Sequence, residues 1–169
     1  MSLLKYSFPL TPPAPTPAAA QHQYAYSEFV LDLSTRWRQM PTEDDNTLNF
    51  ECDEEGAVLV IAADFYDIPD DKAQALAEQC LGTRIKALHG AGSGPVEVLQ
   101  QRIQPHTSGT GLELSLAAEV GGDAAHVHLY LGYVTSRKVL HFSMVCRPGR
   151  QAAVALFNAT VPGFRPRLP

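Results

Sequence analysis

Three histidines come closest to a pattern that could do chemistry in this sequence. His126 and His128 stand two positions apart, so in a β-strand both imidazoles project from the same face. His141 falls in the next strand-like segment, and three imidazoles can hold a zinc ion. The alternative is that they are polar side chains on the less buried face of a sheet, beside Tyr130. We expect this second arrangement, because the sequence shows no supporting ligands beside the three histidines.

Patterns for other catalytic chemistry do not fit the sequence. It has no Gly-x-Ser-x-Gly motif, which would place a nucleophilic serine on a sharp turn. Its glycine-rich run, residues 90–94, follows a predicted helix, whereas a phosphate-binding loop must precede one. None of the cysteines lies in a segment that suggests a thiolate activated by a histidine. We therefore expect no catalytic residue, no cofactor and no bound metal, so that the protein is not an enzyme.

Length and composition indicate one ordinary globular domain. The chain has 169 residues, of which 45% are hydrophobic and 18% charged, and at this size it can bury a core without disulfides or metal. Its 18 acidic and 13 basic residues give a net charge of −5. Because a phosphate-binding surface is basic, this balance argues against nucleic acid as a partner.

The cysteines indicate a reducing compartment. Their odd number and the lack of a Cys-x-x-Cys spacing predict neither a disulfide framework nor a zinc knuckle, and we expect all three to be small buried side chains: Cys52, Cys80 and Cys146. No run approaches the ~18 apolar residues of a membrane span. The N-terminus lacks the apolar stretch of a signal peptide. We expect a cytoplasmic protein.

Charge is unevenly distributed along the chain. From Glu28 to Asp71 there are 13 acidic residues and only two bases, Arg36 and Arg38, while 10 bases and 5 acids follow from Lys72 onward. These acids either form solvated loops or make an acidic surface that speeds encounter with a basic partner. For the second case, the candidate partner-binding residues form two runs: Glu43, Asp44 and Asp45, then Asp53, Glu54 and Glu55.

The N-terminal residues have the composition of a tail. Residues 1–23 contain five prolines and a run of alanines, which favours extended polyproline conformations. We therefore divide the chain into a tail, residues 1–23, and a single domain, residues 24–169. Deletion of residues 1–20 should leave the domain folded. The alternative is that the apolar residues between Leu3 and Leu10 dock on the domain as an added strand.

The rest of the sequence predicts an α+β domain, with an antiparallel sheet flanked by helices in an α/β/α sandwich. The apolar run 58–61 should be a central strand covered on both faces. Proline and acids after position 68 predict the start of an amphipathic helix that ends at Gly90. The expected order is three strands at 26–33, 47–52 and 57–65, this helix, an antiparallel meander of four strands at 96–103, 111–120, 126–134 and 138–145, and a final helix at 150–160.

Several of these elements carry a resemblance to a known family. The strand from Phe29 to Leu33 followed by Trp37, the helix that begins at Asp70, the meander, and residues 138–142 before the last helix are similar to the Mog1/PsbP-like family. This family includes Mog1, the photosystem protein PsbP and bacterial DcrB. The resemblance covers about residues 24–164. It implies an antiparallel sheet between helices and a role as a non-enzymatic adaptor.

The resemblance also implies a class of partner. Bacterial members of this kind include small cytoplasmic proteins that accompany type VI secretion effectors, some as chaperones that shield apolar helices. Such a chaperone would offer an apolar groove on a homodimer to a helix recognised through side chains three and four apart. The charge distribution favours a different binding role, an immunity protein that neutralises a toxin through its acidic surface. We take the adaptor or chaperone as the first hypothesis and the immunity protein as the alternative.

Overall fold

The computed structural model describes residues 21–67, 69–91 and 94–167. Within these ranges no helix is both long and apolar enough to cross a membrane. The two α-helices are α1 (Ala73–Ala91) and α2 (Arg150–Thr160). The strands are β1 (Gln21–Ala25), β2 (Phe29–Ser34), β3 (Arg38–Met40), β4 (Thr47–Cys52), β5 (Ala57–Phe65), β6 (Val96–Pro105), β7 (Leu112–Val120), β8 (His126–Val134), β9 (Lys138–Cys146) and β10 (Phe164–Pro166).

Most of the predicted tail lies outside the described residues. This includes residues 1–20 and, with them, the segment between Leu3 and Leu10 that could dock as a strand. The described chain begins with β1, which pairs antiparallel with β2 and places His22 opposite Leu33. The boundary expected at Tyr24 therefore falls inside a strand.

The principal sheet has seven strands in the order β3-β4-β5-β9-β8-β7-β6, and all neighbouring pairs are antiparallel. The predicted meander is confirmed, because β6, β7, β8 and β9 lie side by side in sequence order. The final helix occupies the residues expected for it. The α+β fold class is thus confirmed, although the short strands β1, β3 and β10 were not predicted.

Helix α1 covers one face of the principal sheet, mainly over β6, β7 and β8. Its apolar residues recur at spacings of three and four, so they lie on one side of the helix. Ala77, Leu81 and Leu88 are buried there against the sheet. Among their partners are Leu114 and Leu116 of β7.

The other face of the sheet is covered by helix α2 and by a second sheet of three strands, ordered β1-β2-β10. Leu31 of β2 is completely buried in this core. The ring of Phe164 packs against Phe29 and Phe142, with centroids 5.3 and 5.1 Å apart. Helices therefore lie on both faces of the principal sheet, as the predicted sandwich requires.

The prediction that residues 58–61 are covered on both faces is wrong. Strand β5 is central, between β4 and β9. Leu59 and Ile61 are buried, but Val58 on the opposite face is 37% exposed. The reason is that α1 lies over the β6 side of the sheet and leaves this part of β5 open.

Candidate functional site

A cleft of ≈ 410 Å³ lies between helix α1 and the part of the sheet that the helix leaves open. Asp64 at the end of β5 and His141 in the middle of β9 form the sheet side of this α1 cleft. Tyr66, just after β5, also lines it. The helix side is formed by residues three and four apart along α1: Leu76, Gln79, Cys80, Thr83, Arg84 and Ala87.

A chain of hydrogen bonds runs from the sheet interior to the α1 cleft. The Tyr130 hydroxyl lies 2.7 Å from His141 Nδ1, and His141 Nε2 lies 2.9 Å from Asp64 Oδ2. Burial lowers the pKa of His141, so the imidazole is neutral near pH 7. Because a carboxylate can only accept, Nε2 carries the proton and donates to Asp64, and the Tyr130 hydroxyl donates to Nδ1. Every group in the chain then has a partner.

This chain resembles the acid-histidine relays of hydrolases in composition, but its last hydroxyl does not reach solvent. Tyr130 is 1% exposed, and burial raises its pKa above the usual value. A hydroxyl that stays protonated and covered is not available to attack a substrate. The arrangement therefore positions Asp64 and His141 in the wall of the α1 cleft rather than activating Tyr130.

Arg84 is the cation of the α1 cleft. Its guanidinium carbon lies 4.0 Å from the centre of the Tyr130 ring, a cation–π contact, and Nη1 donates to Ser143 Oγ at 2.9 Å. Desolvation by burial lowers the pKa of Arg84, but an arginine remains protonated in any folded protein. No ion pair formed among the described residues includes Arg84. The positive charge of Arg84 therefore lies in the cleft without an ion pair to a carboxylate of the described residues.

Cys80, one helical turn before Arg84, also lines the α1 cleft. Burial raises the pKa of its thiol, so the nucleophilic thiolate is not formed at neutral pH. Cys52 and Cys146 are buried, as the sequence predicts, whereas Cys80 is only partly buried. We regard Cys80 as part of the cleft wall.

The prediction that the histidines lie on a less buried face beside Tyr130 is wrong for His128. This residue is 6% exposed, because the face of β8 that carries it lies under helix α1. Its Nε2 is buried, and none of the described residues offers it a hydrogen bond. Desolvation lowers the pKa of His128 to about 4, with smaller contributions from the charges of Arg84 and His126. His128 is therefore neutral at pH 7.

The structure does not bring the three candidate metal ligands together. His128 pairs opposite Val145, whereas His141 pairs opposite Gly132, four positions farther along β8. At roughly 3.3 Å per residue this separates them by about 13 Å along the sheet. His126 lies at the end of β8, where Nδ1 is 2.9 Å from the Ala124 carbonyl. In residues 21–67, 69–91 and 94–167, no group of three or more His, Cys, Asp or Glu side chains is placed to hold a metal ion.

The two acidic runs lie at opposite ends of strand β4. Residues 43–45 precede the strand and residues 53–55 follow it. Its first and last Cα atoms are roughly 17 Å apart at the usual strand rise. Glu43, Asp45 and Glu54 are exposed. The runs therefore do not form one continuous patch.

Three of the six candidate acids take part in local contacts. Asp53 pairs with Arg38 at 3.2 Å, and Glu55 pairs with Arg36 at 3.0 Å. The Asp44 carboxylate accepts from the Asn46 amide and from the Thr47 hydroxyl, which holds the turn before β4. These acids are available to a partner only in competition with those contacts.

The charge difference between the two parts of the sequence is reduced in space by pairing between them. Lys138 lies 2.9 Å from Glu28, and Arg165 lies 2.6 Å from Asp32. Each pair joins an acid of the N-terminal region to a base of the C-terminal region. These two pairs therefore offset part of the polarisation seen along the sequence.

Two exposed aromatic residues at the end of β5 form what we call the aromatic corner. Phe65 is 55% exposed and Tyr66 is 45% exposed. Tyr66 borders the α1 cleft on one side. On its other side it borders a second cleft of ≈ 630 Å³ lined by Glu28, Phe65, Tyr66, Asp67, Ser136, Arg137, Lys138 and Arg167. The sequence did not identify this corner, because Phe65 was expected to end a buried strand.

Comparison of whole structures shows a PsbP-like fold. The chain is similar to the solution structure of cyanobacterial PsbP (CyanoP) from Synechocystis sp. PCC 6803, with a TM-score of 0.65 over 95% of this chain and 100% of that chain. The two are 15% identical, so the likeness concerns the fold alone. No protein-family model and no curated protein matches the sequence. The expected Mog1/PsbP-like fold is thus confirmed, while a relation to DcrB stays a prediction.

Proposed function

We propose that this protein is a non-enzymatic protein-binding domain that acts as an adaptor or chaperone, with the aromatic corner at the centre of its binding surface. The observation that carries this proposal is the exposure of two adjacent aromatic side chains, Phe65 and Tyr66, at 55% and 45%. Large aromatic side chains contribute much of the binding energy at protein interfaces. Leaving two of them next to each other in water is costly unless a partner covers them.

The surroundings of the aromatic corner support binding of a protein. Arg137 and Arg167 line the cleft next to Phe65. Arginine, like tyrosine, is enriched at the energetic centres of interfaces. The Tyr66 amide donates to the Arg137 carbonyl at 2.8 Å, which fixes the backbone of the corner before a partner arrives. A fitting partner has an apolar side chain for Phe65 and carboxylates for the two arginines.

The finer proposal concerns the partner. We propose that it is an effector of a type VI secretion system and that the complex forms in the cytoplasm. Support comes from the resemblance to bacterial Mog1/PsbP-like proteins and from the free thiols of the described cysteines, which suit a reducing compartment. Capture of proteins from the native host, followed by identification of those retained at high salt, tests this partner class.

The aromatic corner can be tested with paired substitutions. Phe65→Ser and Tyr66→Ser together should weaken partner binding about tenfold or more, because both remove aromatic area from the interface. Val154→Ser on helix α2 is the matched control, since Val154 is also an exposed apolar residue, at 36%. Unchanged binding by the double variant, with its fold intact by circular dichroism, would reject the corner as the binding surface.

The immunity protein is the second candidate, because Glu43, Asp45 and Glu54 are exposed and could meet a basic toxin. Its association should be fast and sensitive to salt, since it depends on charge. Reversal of Glu43, Asp44 and Asp45 to lysine should then release the partner, while the serine variants of the aromatic corner retain it. The opposite outcome favours the adaptor or chaperone.

A further inference from the structure

Arg84 is a partly buried cation that carries its charge without a counter-ion from the described residues. Of its five N–H donors, one bonds to Ser143 Oγ at 2.9 Å and another interacts with the Tyr130 hydroxyl, which leaves donors for a further acceptor. Taking a charged group out of water is costly, and proteins usually offset that cost with an ion pair and further hydrogen bonds. Arg84 instead borders an open cleft of ≈ 410 Å³. The free donors and the space beside them together indicate an anion-binding site.

The charges around the α1 cleft favour an anion of single charge. Arg84 contributes one positive charge and Asp64 one negative charge, while His141 is neutral near pH 7 because burial lowers its pKa. Because these two charges already balance, a phosphate dianion would leave two excess negative charges in the cleft, whereas a monoanion leaves one. A carboxylate matches both the charge and the planar fork of an arginine.

The shape of the α1 cleft favours a small molecule over an inorganic ion. Its volume of ≈ 410 Å³ is in the range of cofactor and metabolite pockets. Leu76 and Ala87 supply apolar surface on the helix side, and Gln79 and Thr83 supply polar groups between them. Such a wall suits a short apolar body attached to the charged group.

We propose that the α1 cleft binds a small organic carboxylate whose charged group pairs with Arg84. The stacking on Tyr130 and the bond to Ser143 hold the guanidinium in place, so the site is formed before the ligand arrives. The Asp64–His141–Tyr130 chain fixes the opposite wall. This site shares Tyr66 with the aromatic corner, but its charged group, Arg84, lies on helix α1 and does not depend on protein binding.

The experiment uses the full chain and a series of monocarboxylates, acetate, butyrate, hexanoate and benzoate, with inorganic phosphate and sulfate for comparison. Calorimetry and amide chemical shifts should show binding of hexanoate or benzoate, with shifts confined to residues of the α1 cleft such as Thr83, Ala87 and His141. Affinity should rise from acetate to hexanoate, because the apolar wall contributes area.

Two arginine variants complete the experiment. Arg84→Gln should weaken hexanoate binding about tenfold or more, because it removes a charge-assisted hydrogen bond. Arg102→Gln on β6 is the matched control, since Arg102 is an exposed arginine away from the cleft, and its affinity should not change. If Arg84→Gln does not fold, the shift map of the unsubstituted protein decides alone.

Three outcomes would overturn the proposal. The first is that none of the carboxylates shifts cleft residues at millimolar concentration. The second is that phosphate binds more tightly than the carboxylates, which would contradict the charge argument. The third is that free carboxylates fail while an acidic side chain of a captured protein contacts Arg84, which would make the cleft part of the protein interface instead.

Discussion

The hydroxyl of Tyr130 occupies the space in which a side chain at Gly132 would begin. The two residues are two positions apart on β8 and face the same side of the sheet. A Cβ atom at Gly132 would lie closer to the Tyr130 hydroxyl than real side-chain contacts allow. Gly132 also pairs directly opposite His141, which is bonded to that hydroxyl. The glycine is therefore what permits Tyr130 to reach His141.

Gly132→Ala should lower the free energy of unfolding by about 1–3 kcal/mol, the usual cost of inserting a methyl group into a packed region. The Tyr130 ring must move, and its bond to His141 is lost. Urea unfolding measures the stability, and the His141 ring signals in NMR report the bond. A variant with unchanged stability and unchanged ring signals would contradict the contact.

Gly82→Ala is the matched substitution with the opposite expected sign. Gly82 lies in the middle of α1 and is exposed, and beyond its chain neighbours and the backbone of its own helix no described atom lies within 4 Å of the position that a Cβ would take. Alanine should stabilise the helix by about 0.8–1.0 kcal/mol, because glycine loses more backbone freedom on folding. Urea unfolding measures the change in stability. A loss of stability would show that another part of the chain contacts this side of α1.

The stability of the protein should fall as the pH is lowered from 6.5 to about 4, the interval between the unfolded and folded pKa values of His128. In this interval the unfolded chain binds a proton that the folded chain does not, so each step down in pH favours unfolding. Over the whole interval, protonation of His128 in the unfolded chain should lower the free energy of unfolding by about 3 kcal/mol. Urea midpoints measured at several pH values check the slope.

His128→Leu provides the comparison for this slope. The variant lacks the titrating group, so its stability should depend less on pH over the same interval. Part of the slope should remain, because burial also lowers the pKa of His141. If the stability of the His128→Leu variant and of the unsubstituted protein depends on pH in the same way, the fold does not hold His128 neutral.

Glu28 and Lys138 should be coupled in stability. Lys138 is 7% exposed, and its ammonium donates to Glu28 and to the Arg167 carbonyl. Glu28→Ala leaves a buried charge without its carboxylate and should cost about 2 kcal/mol. Lys138→Met removes that charge and should cost less. In a double-mutant cycle the combined loss should be smaller than the sum of the single losses, and simple additivity would argue that the pair is broken in solution.

Deletion of residues 1–20 should leave the melting temperature nearly unchanged. The prediction comes from composition, since these residues combine five prolines with a run of alanines, which favours extended conformations. The deletion ends just before β1, so all pairing of β1 with β2 is kept. Calorimetry of the shortened chain and of the full chain compares their melting temperatures. A drop of many degrees would show that residues between Leu3 and Leu10 form an integral strand.

Local sequence patterns were sufficient to predict the meander and helix α2. Alternating apolar residues mark β7, as Leu114 and Leu116 show, and a proline and glycine precede Arg150 at the start of α2. The short strands β3 and β10 have three residues each, too few for a period to be recognised. Their pairing depends on contacts with distant strands.

The candidate site could not be predicted from local pattern. Asp64 and His141 are 77 positions apart, and they meet only because β5 pairs with β9 across the intervening helix and meander. The alternation of His126 and His128 correctly placed both on one face of β8. The same alternation did not reveal that α1 covers that face. The spacing of residues along a strand carries no information about where a helix packs against it. A usable signal was Asp64, an isolated charge near the end of an apolar run.

Strand β10 reaches β2 only after the rest of the described domain has been translated. Arg165 pairs with Asp32 across 133 positions. Phe29 and Leu31 therefore leave the ribosome long before Phe164, which covers them in the finished core. During that interval β2 can pair with β1 but lacks its second neighbour, β10, and such late pairing slows folding and exposes the chain to aggregation. The risk of aggregation during synthesis of this domain thus grows with the time between translation of β2 and translation of β10.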